Sequence, residues 1–98
     1  MSKHPTTRRA AEVLRALANQ RRLAILEDLA GGERSVGELE RLVGLGQSAL
    51  SQHLARLRRA RLVRHRHAGR TVYYGIDDGG EAGDILDRVT RLFSARRR

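Results

Sequence analysis

The spacing of apolar residues along the chain predicts five helices and one β-hairpin. The first helix is predicted from about Thr7 to Ala18, because its apolar residues recur every three or four positions. Asn19 can cap a second helix, which the Gly31-Gly32 pair ends. The apolar faces of these two helices consist of Ala10, Val13, Leu14 and Leu17, and of Leu23, Leu26, Leu29 and Ala30.

Two further helices are predicted in the middle of the chain. Ser35 and Glu38 form a capping box, in which the hydroxyl and the carboxylate each accept a hydrogen bond from a free backbone amide at a helix start. A third helix follows, and Gly44-Leu45-Gly46 separates it from a fourth helix that runs from about Gln47 to Ala60. The residues predicted to face inward are Val36, Leu39, Leu42 and Val43, and then Leu50, Leu54 and Leu57.

The fourth helix has a second face, opposite its leucines, that is small and polar. Side chains of this size allow close approach, and their polar groups can hydrogen-bond to base edges, which suits a helix that lies in a DNA major groove. The residues of this face are Ser48, Ser51, Gln52, Ala55 and Arg59.

A hairpin follows the fourth helix. The segments from Leu62 to His67 and from Thr71 to Ile76 are rich in β-branched and aromatic residues, and Gly69 lies in the turn between them. Neighbouring residues of a strand face opposite ways. We therefore expect one of Tyr73 and Tyr74 to pack under the fourth helix and the other to face outward.

The order of these elements predicts a winged helix-turn-helix fold, mainly α with a small β-hairpin: four helices, two strands and a fifth helix. The tight glycine-containing turn before the fourth helix and the basic hairpin after it carry this prediction. A chain of 98 residues holds one domain, residues 1–98, in which residues 1–6 and 96–98 are expected to be flexible.

Positive charge is concentrated in one segment. The formal net charge is +9, and the segment from Arg41 to Ile76 contains eight arginines but no aspartate or glutamate. Solvated faces mix both signs of charge, whereas binding to a polyanion needs a footprint of one sign. A membrane-binding helix would need bulky aromatic anchors, and this segment has only Tyr73 and Tyr74. The charge pattern therefore indicates nucleic acid as the partner.

Composition excludes several other classes. The chain has no cysteine, so it has no disulfide, thiolate nucleophile or cysteine-ligated metal. It has no paired carboxylates beside a plausible base and no phosphate-cradling loop, so we expect neither enzymatic activity nor a cofactor. No stretch approaches the ~20 apolar residues of a membrane span, and residues 1–9 lack the apolar core of a secretion signal, so a cytoplasmic location is expected.

The candidate DNA contacts lie on the fourth helix and the hairpin. Glutamine can bind adenine through two hydrogen bonds, and serine can reach base edges or phosphates. Arg56 and Arg59 should bind phosphates, whereas Arg66 and Arg70 could enter a minor groove or contact the backbone. For His53, packing and a phosphate contact are equal alternatives. The predicted DNA-binding residues are Gln47, Ser48, Ser51, Gln52, His53, Arg56, Arg59, Arg66 and Arg70.

Two more histidines alternate with arginines along the first predicted strand. A His-x-His pair could bind a metal ion across a dimer, but two ligands without a nearby carboxylate or cysteine make a weak site. We therefore interpret His65 and His67 as hairpin residues near phosphate, and we expect no metal site.

The fifth predicted helix, which follows a loop over residues 77–83, has more apolar surface than the first helix alone can cover. This stripe is either intramolecular core or a dimer interface. We favour the interface, because pairing extends the small core of a short chain. The predicted interface residues are Val13, Leu14, Leu17, Ile85, Leu86, Val89, Leu92 and Phe93.

The sequence also resembles a known family. The segments ALANQRRLAILEDL, QSALSQHLARLR and TVYY resemble the ArsR/SmtB family of bacterial winged-helix repressors, in particular its HlyU/BigR/SqrR-like branch. The resemblance runs from about Leu14 to Ile76 and, with the terminal helix, covers nearly the whole chain. It implies a homodimer formed by the first and last helices, a fourth helix that reads an inverted-repeat operator, and repression lifted by an effector.

The sensor positions of that family are not matched here. Ser35 and Gly37 stand where its metal sensors have two cysteines, and Glu27 and Ser94 stand where the HlyU-like branch has them. Another metal site of the family uses an aspartate, which Asp78 could match, and three histidines. The histidine positions hold Gly80, Arg91 and Ser94. An effector, if there is one, is therefore left open.

The leading hypothesis is a homodimeric, sequence-specific regulator of double-stranded DNA, acting as a repressor at an inverted repeat. One alternative is a nucleoid-type DNA binder of low specificity, whose binding would depend on salt but not on sequence. The other is a regulator that is switched by a protein partner docking on the acidic fifth helix.

Overall fold

The computed structural model describes residues 3–77 and 79–95; Asp78 and the residues at both ends, 1–2 and 96–98, lie outside this description. The described part contains five helices and one three-stranded sheet. None of these helices is long and apolar enough to cross a lipid bilayer. The elements are α1 (Pro5–Leu17), α2 (Gln20–Ala30), β1 (Arg34–Ser35), α3 (Val36–Val43), α4 (Gln47–Arg59), β2 (Val63–Ala68), β3 (Thr71–Ile76) and α5 (Ala82–Ala95).

Local signals determine where the helices start. Pro5 fits the first turn of α1 because that turn needs no amide hydrogen, and α1 begins two residues earlier than predicted. Asn19 caps α2 by accepting a hydrogen bond of 3.0 Å from the backbone N of Arg22. At the start of α3, Glu38 N donates to Ser35 Oγ at 3.1 Å and Ser35 N donates to Glu38 Oε1 at 2.9 Å. The predicted capping box is thereby confirmed.

The sheet is antiparallel, with β3 in the centre of the strand order β1-β3-β2. The hairpin of β2 and β3 turns at Gly69, whose φ of 62° is a left-handed conformation that suits glycine. β2 begins at Val63, one residue later than predicted. The prediction of a hairpin alone missed β1, which pairs with Tyr73 and Tyr74, because a strand of two residues has no readable alternation.

Leucine side chains from α2, α3 and α4 form the centre of the core. Leu26, Leu39, Leu50 and Leu57 are almost completely buried. Tyr74 closes the core from the sheet and is also buried. Because α4 packs through its leucines, its opposite side is left to solvent.

Leu42, which was predicted to face inward, is exposed, as are Ala10 and Ala30 of the predicted apolar faces. Leu42 is 54% exposed because neighbouring elements cover the side of α3 that carries Leu39, and the predicted stripe was wider than that side. Ala30 is the last residue of α2, and Ala10 lies in an open groove between α1 and α5. The periodicity of a short helix therefore overstated the face that it buries.

The predicted interface stripe divides into two sets of residues. Val13, Leu17 and Leu86 are buried within the single chain. Each of them packs into the core of its own chain, and their place in a dimer interface stays a prediction. An ion pair between Arg9 and Glu81 holds the start of α5 against α1.

The remaining members of the stripe are available to a partner. Leu14, Leu92 and Phe93 are 61%, 56% and 62% exposed, and Ile85 and Val89 are half-buried. Scattered exposed leucines are common on proteins, but these large side chains belong to only two helices. α1 and α5 thus leave apolar surface that the single chain does not cover.

Replacing Ser35 by alanine removes half of the capping box. We expect Ser35→Ala to lower the free energy of unfolding by about 1 kcal/mol. Ser51→Ala on the exposed face of α4 is the matched control and should change that free energy by less than about 0.5 kcal/mol. Urea denaturation followed by far-UV circular dichroism measures both, and equally small effects would show that the box does not stabilise α3.

Candidate nucleic-acid interface

α4 presents a polar face to solvent. Its leucines anchor the opposite side in the core, and no bulky side chain lies between the polar ones. The structure therefore brings the predicted base contacts together on one accessible surface, which we call the reading face. Its exposed residues are Gln47, Ser48, Ser51, Gln52 and Ala55.

A cavity of about 660 Å³ lies between α4 and the hairpin, and we call it the wing-side cavity. Gln47, Ser51 and Arg58 line it from α4, and Arg70 and Thr71 line it from the hairpin. Arg58 was not among the predicted contacts. The arginine-rich end of α4 was visible in the sequence, but only the folded hairpin shows which of these arginines it faces.

The face of the hairpin toward α4 carries the two histidines of β2. The rings of His65 and Tyr74 stack with centroids 5.6 Å apart, and the ring of His67 meets that of His65 edge-on at 5.5 Å. Partial burial lowers the pKa of His65, and the nearby charges of Arg58 and His67 lower it further. Tyr74 is the tyrosine expected under α4, so that prediction is confirmed.

The opposite face of the hairpin carries an ion-pair cluster around Glu33. Arg66 Nη2 donates to Glu33 Oε1 at 2.8 Å, and Arg66 Nε donates to Oε2 at 3.0 Å. Arg64 Nη1 also donates to Oε2 at 3.0 Å, and the guanidinium of Arg66 lies 4.5 Å from the ring centre of Tyr73. These hydrogen bonds, that of Arg66 first, lower the pKa of Glu33.

Arg66 and Arg70, which were both predicted to contact DNA, lie in different places in the structure. Arg70 lines the wing-side cavity, whereas Arg66 lies across the strand from Tyr73 on the far face of the sheet. The role of Arg66 in DNA binding stays a prediction, and DNA would have to compete with Glu33 for it. Sequence reasoning missed Glu33 because its position depends on β1, which was not predicted.

The other side of α4 faces α2. His53 is half-buried there, with its Nδ1 3.5 Å from Nη1 of Arg22. Burial, and then the charges of Arg22 and Arg21, lower the pKa of His53. The structure thus shows His53 packed beside α2, and its phosphate contact stays a prediction. Arg56 and Arg59 lie on the same side of α4.

The described residues contain no group of three or more histidine, cysteine, aspartate or glutamate side chains placed to hold a metal ion. His65 and His67 are neighbours, but the rest of residues 3–77 and 79–95 adds no third ligand of these types. Asp78, which could match an acid of the family's metal site, lies outside the described part.

The fold and this surface define the class of protein. α3 and α4, joined by Gly44-Leu45-Gly46, form a helix-turn-helix, and the hairpin of β2 and β3 forms the wing beside it. The exposed reading face belongs to a segment without acidic residues. The chain is therefore a winged helix-turn-helix protein.

Comparison with known proteins gives the family. Residues 19–65 match the family of bacterial regulatory proteins called arsR. The nodulation protein NolR of Rhizobium meliloti is 50% identical over 72 residues, which are 74% of this chain and 59% of NolR. The transcriptional activator HlyU of Vibrio cholerae is 46% identical over 85 residues, which are 87% of this chain and 78% of HlyU. The chain belongs to the arsR family, and it spans less than two thirds of the length of NolR.

Solved structures agree with this assignment. The structure of HlyU from Vibrio cholerae matches with a TM-score of 0.86 at 44% identity, over 96% of this chain and 99% of HlyU. The homodimeric winged helix-turn-helix DNA-binding domain of Mb0332 from Mycobacterium bovis also matches with a TM-score of 0.86, at 31% identity, over 98% of this chain and 90% of that one. The predicted fold class is confirmed.

Glu33→Gln should destabilise the protein in a pH-dependent way. Because the pKa of Glu33 is lowered in the folded state, its charged form stabilises the fold above the pKa of the unfolded carboxyl. This stabilisation is lost as the pH falls through the lower pKa of the folded state. We expect Glu33→Gln to lower the melting temperature at about pH 7, and we expect the difference from the wild type to shrink below about pH 4.

Thermal unfolding at several pH values, followed by circular dichroism, measures this difference. Glu27→Gln is the control, since Glu27 is exposed on α2 and lies apart from the hairpin. A melting difference of the same size at about pH 7 and about pH 3 would contradict an electrostatic role for Glu33.

Proposed function

We propose that this chain is a sequence-specific, double-stranded DNA-binding regulator that represses transcription as a homodimer at an inverted-repeat operator. The observation that carries the proposal is the reading face of α4, which is polar, exposed and bordered by arginines. Base edges in the major groove offer hydrogen-bonding groups to such a face, and phosphates offer charge to the arginines.

The reading face combines two kinds of contact. Gln47 and Gln52 have amide groups that can bind adenine through two hydrogen bonds, and Ser48 and Ser51 can reach base edges or phosphates. Arg70 lies near the tip of the hairpin, where a wing meets the backbone or the minor groove beside the operator half-site. The base contacts give sequence preference, and the arginines give affinity.

The homodimer is proposed from the uncovered apolar surface of α1 and α5, where Leu14, Leu92 and Phe93 are exposed. The similar domain of Mb0332 is homodimeric, which supports this arrangement. A two-fold axis presents two reading faces, and half-sites that face successive major grooves lie ~34 Å apart along DNA. The two-fold symmetry of the dimer is the reason to expect an inverted repeat.

Repression is the simplest consequence of this binding. A dimer that covers a promoter excludes RNA polymerase without any further contact. We propose repression for this reason, although the relative HlyU is named an activator. We place the activity in the cytoplasm, where bacterial DNA lies. We assign no effector, because the cysteines and histidines of the sensor positions are absent from this sequence.

The double variant Ser51→Ala, Gln52→Ala tests the reading face. The purified wild type first selects duplexes from a random library, and fluorescence anisotropy then compares the selected motif with a random duplex. We expect the variant to lose at least about tenfold in the ratio of the two affinities, since a good base contact discriminates by about 1–3 kcal/mol.

Ser94→Ala on α5 is the control and should leave that ratio unchanged, since Ser94 is remote from the reading face. An unchanged ratio in the double variant would remove the assignment of α4 as the reader. If the wild type selected no motif at all, the low-specificity DNA binder would replace the proposed regulator.

Phe93→Glu tests the dimer. A charge on this exposed apolar surface should give a monomer at concentrations where the wild type is a dimer, because the carboxylate would be buried without a partner. Leu42→Glu is the matched control, since Leu42 is similarly exposed but lies on α3. Sedimentation velocity measures the mass, and a dimeric Phe93→Glu variant would place the interface elsewhere.

A further inference from the structure

A second arginine-lined cavity, which we call the α2-side cavity, lies on the side of α4 away from the hairpin. Its volume is about 460 Å³. Arg22 lines it from α2, and α4 contributes Gln52, His53, Arg56 and Arg59. No carboxylate among the described residues lines this cavity, and Arg56 and Arg59 form no ion pair within residues 3–77 and 79–95. The cavity thus collects positive charge from two helices.

Arg22 is held in a fixed position at this cavity. Its Nε donates to the carbonyl oxygen of Ala16 at 2.6 Å, and its Nη2 donates to that of Arg15 at 3.1 Å. These acceptors at the end of α1 are neutral, so they orient the guanidinium without cancelling its charge. Burial lowers the pKa of Arg22, and the charge of the nearby Arg56 lowers it further.

On the face of the hairpin that lies away from α4, the chain neutralises its own arginines. There Glu33 binds both Arg64 and Arg66. In the α2-side cavity the same kind of side chain is left without a carboxylate. An arrangement of like charges that costs stability in the free protein is expected where an anionic ligand offsets that cost.

The geometry points to a backbone phosphate of the DNA as the ligand of the α2-side cavity, bound by Arg56 and Arg59 beside the fixed guanidinium of Arg22. This inference rests on the proposed function, because it needs DNA on the reading face. A major groove is bordered by two phosphate backbones. The wing-side cavity, with Arg58 and Arg70, faces one of them, and the α2-side cavity faces the other.

This phosphate also fixes the position of a base contact. Gln52 lies on the reading face and lines the α2-side cavity as well. A phosphate bound in the cavity sets how far α4 can rotate and slide in the groove, and so sets which base edge Gln52 reaches. α2, which lies outside the helix-turn-helix, thereby takes part in DNA binding.

The double variant Arg56→Gln, Arg59→Gln tests the site. Its matched control is Arg8→Gln, Arg88→Gln, which removes two exposed arginines from α1 and α5. Affinities are measured by anisotropy at several salt concentrations, on the selected motif and on a random duplex. Circular dichroism confirms that all variants are folded. Arg22 is left unchanged because its side chain also holds the end of α1.

We expect the Arg56, Arg59 variant to lose affinity for both duplexes, because phosphates are common to all sequences. The loss should be larger on the selected motif, where the phosphate also positions Gln52. The slope of log K against log salt should decrease by about 0.9 for each phosphate that the variant no longer binds. The control variant should keep the wild-type slope. A slope equal to that of the control would overturn the phosphate site.

A second measurement locates the phosphate. In the selected duplex, uncharged methylphosphonate replaces one phosphate at a time. We expect one position per half-site to weaken the wild type but to have no further effect on the Arg56, Arg59 variant. This phosphate should lie on one DNA strand, and the phosphate whose replacement has no further effect on Arg70→Gln should lie on the other strand. If every methylphosphonate weakened the variant as much as the wild type, the assignment would be wrong.

Two outcomes separate this inference from the proposed function. If the wild type selects a motif that depends on Ser51 and Gln52, but Arg56→Gln, Arg59→Gln equals its control, then only the phosphate site fails. If inorganic phosphate binds the wild type but not the variant, while the two proteins have equal DNA affinities and salt slopes, the cavity takes a free anion, and the assignment to DNA backbone is overturned.

Discussion

The burial of one side of α4 is the constraint on which the rest of this structure depends. Leu50, Leu54 and Leu57 fix the rotation of the helix about its own axis, because turning it would bring polar side chains into the core and expose leucines. The outward side is therefore determined by the inward one. The capping box at Ser35 and the left-handed turn at Gly44, with a φ of 69°, place α3 so that Leu39 completes this core.

The distribution of charge follows from that rotation. An acid-free segment of the chain repels itself, and the fold relieves part of this repulsion on the far face of the hairpin, away from the reading face. Glu33 neutralises Arg64 and Arg66 on the far face of the hairpin, whereas Arg58 and Arg70 on one side of α4, and Arg56 and Arg59 on the other, line cavities without a carboxylate among the described residues. The field of the protein is thus concentrated on the two sides of the reading face.

The helices and the reading face were predictable because their signals are local. Three-to-four residue spacing, the capping box and glycine pairs depend only on neighbours in the sequence, so α2, α3 and α4 were placed closely. β1 and Glu33 were not predictable, since two residues acquire their role only by pairing with β3. The sequence also could not predict which residues of the apolar stripe of α1 and α5 are buried within the chain and which are exposed. Periodicity identifies an apolar face but not what covers it.

Arg22, which we propose lies beside a bound phosphate, belongs to a helix without any predicted DNA contact. Its neighbours in sequence predict a helix start, and the hydrogen bonds to Ala16 and Arg15 account for it as a structural residue. Neutral carbonyls, however, leave its charge uncompensated beside Arg56. A cation that is oriented by neutral acceptors gives up its side-chain entropy during folding, so the entropy cost is smaller when an anion binds. The same side chain can therefore hold two helices together and prepare a place for phosphate.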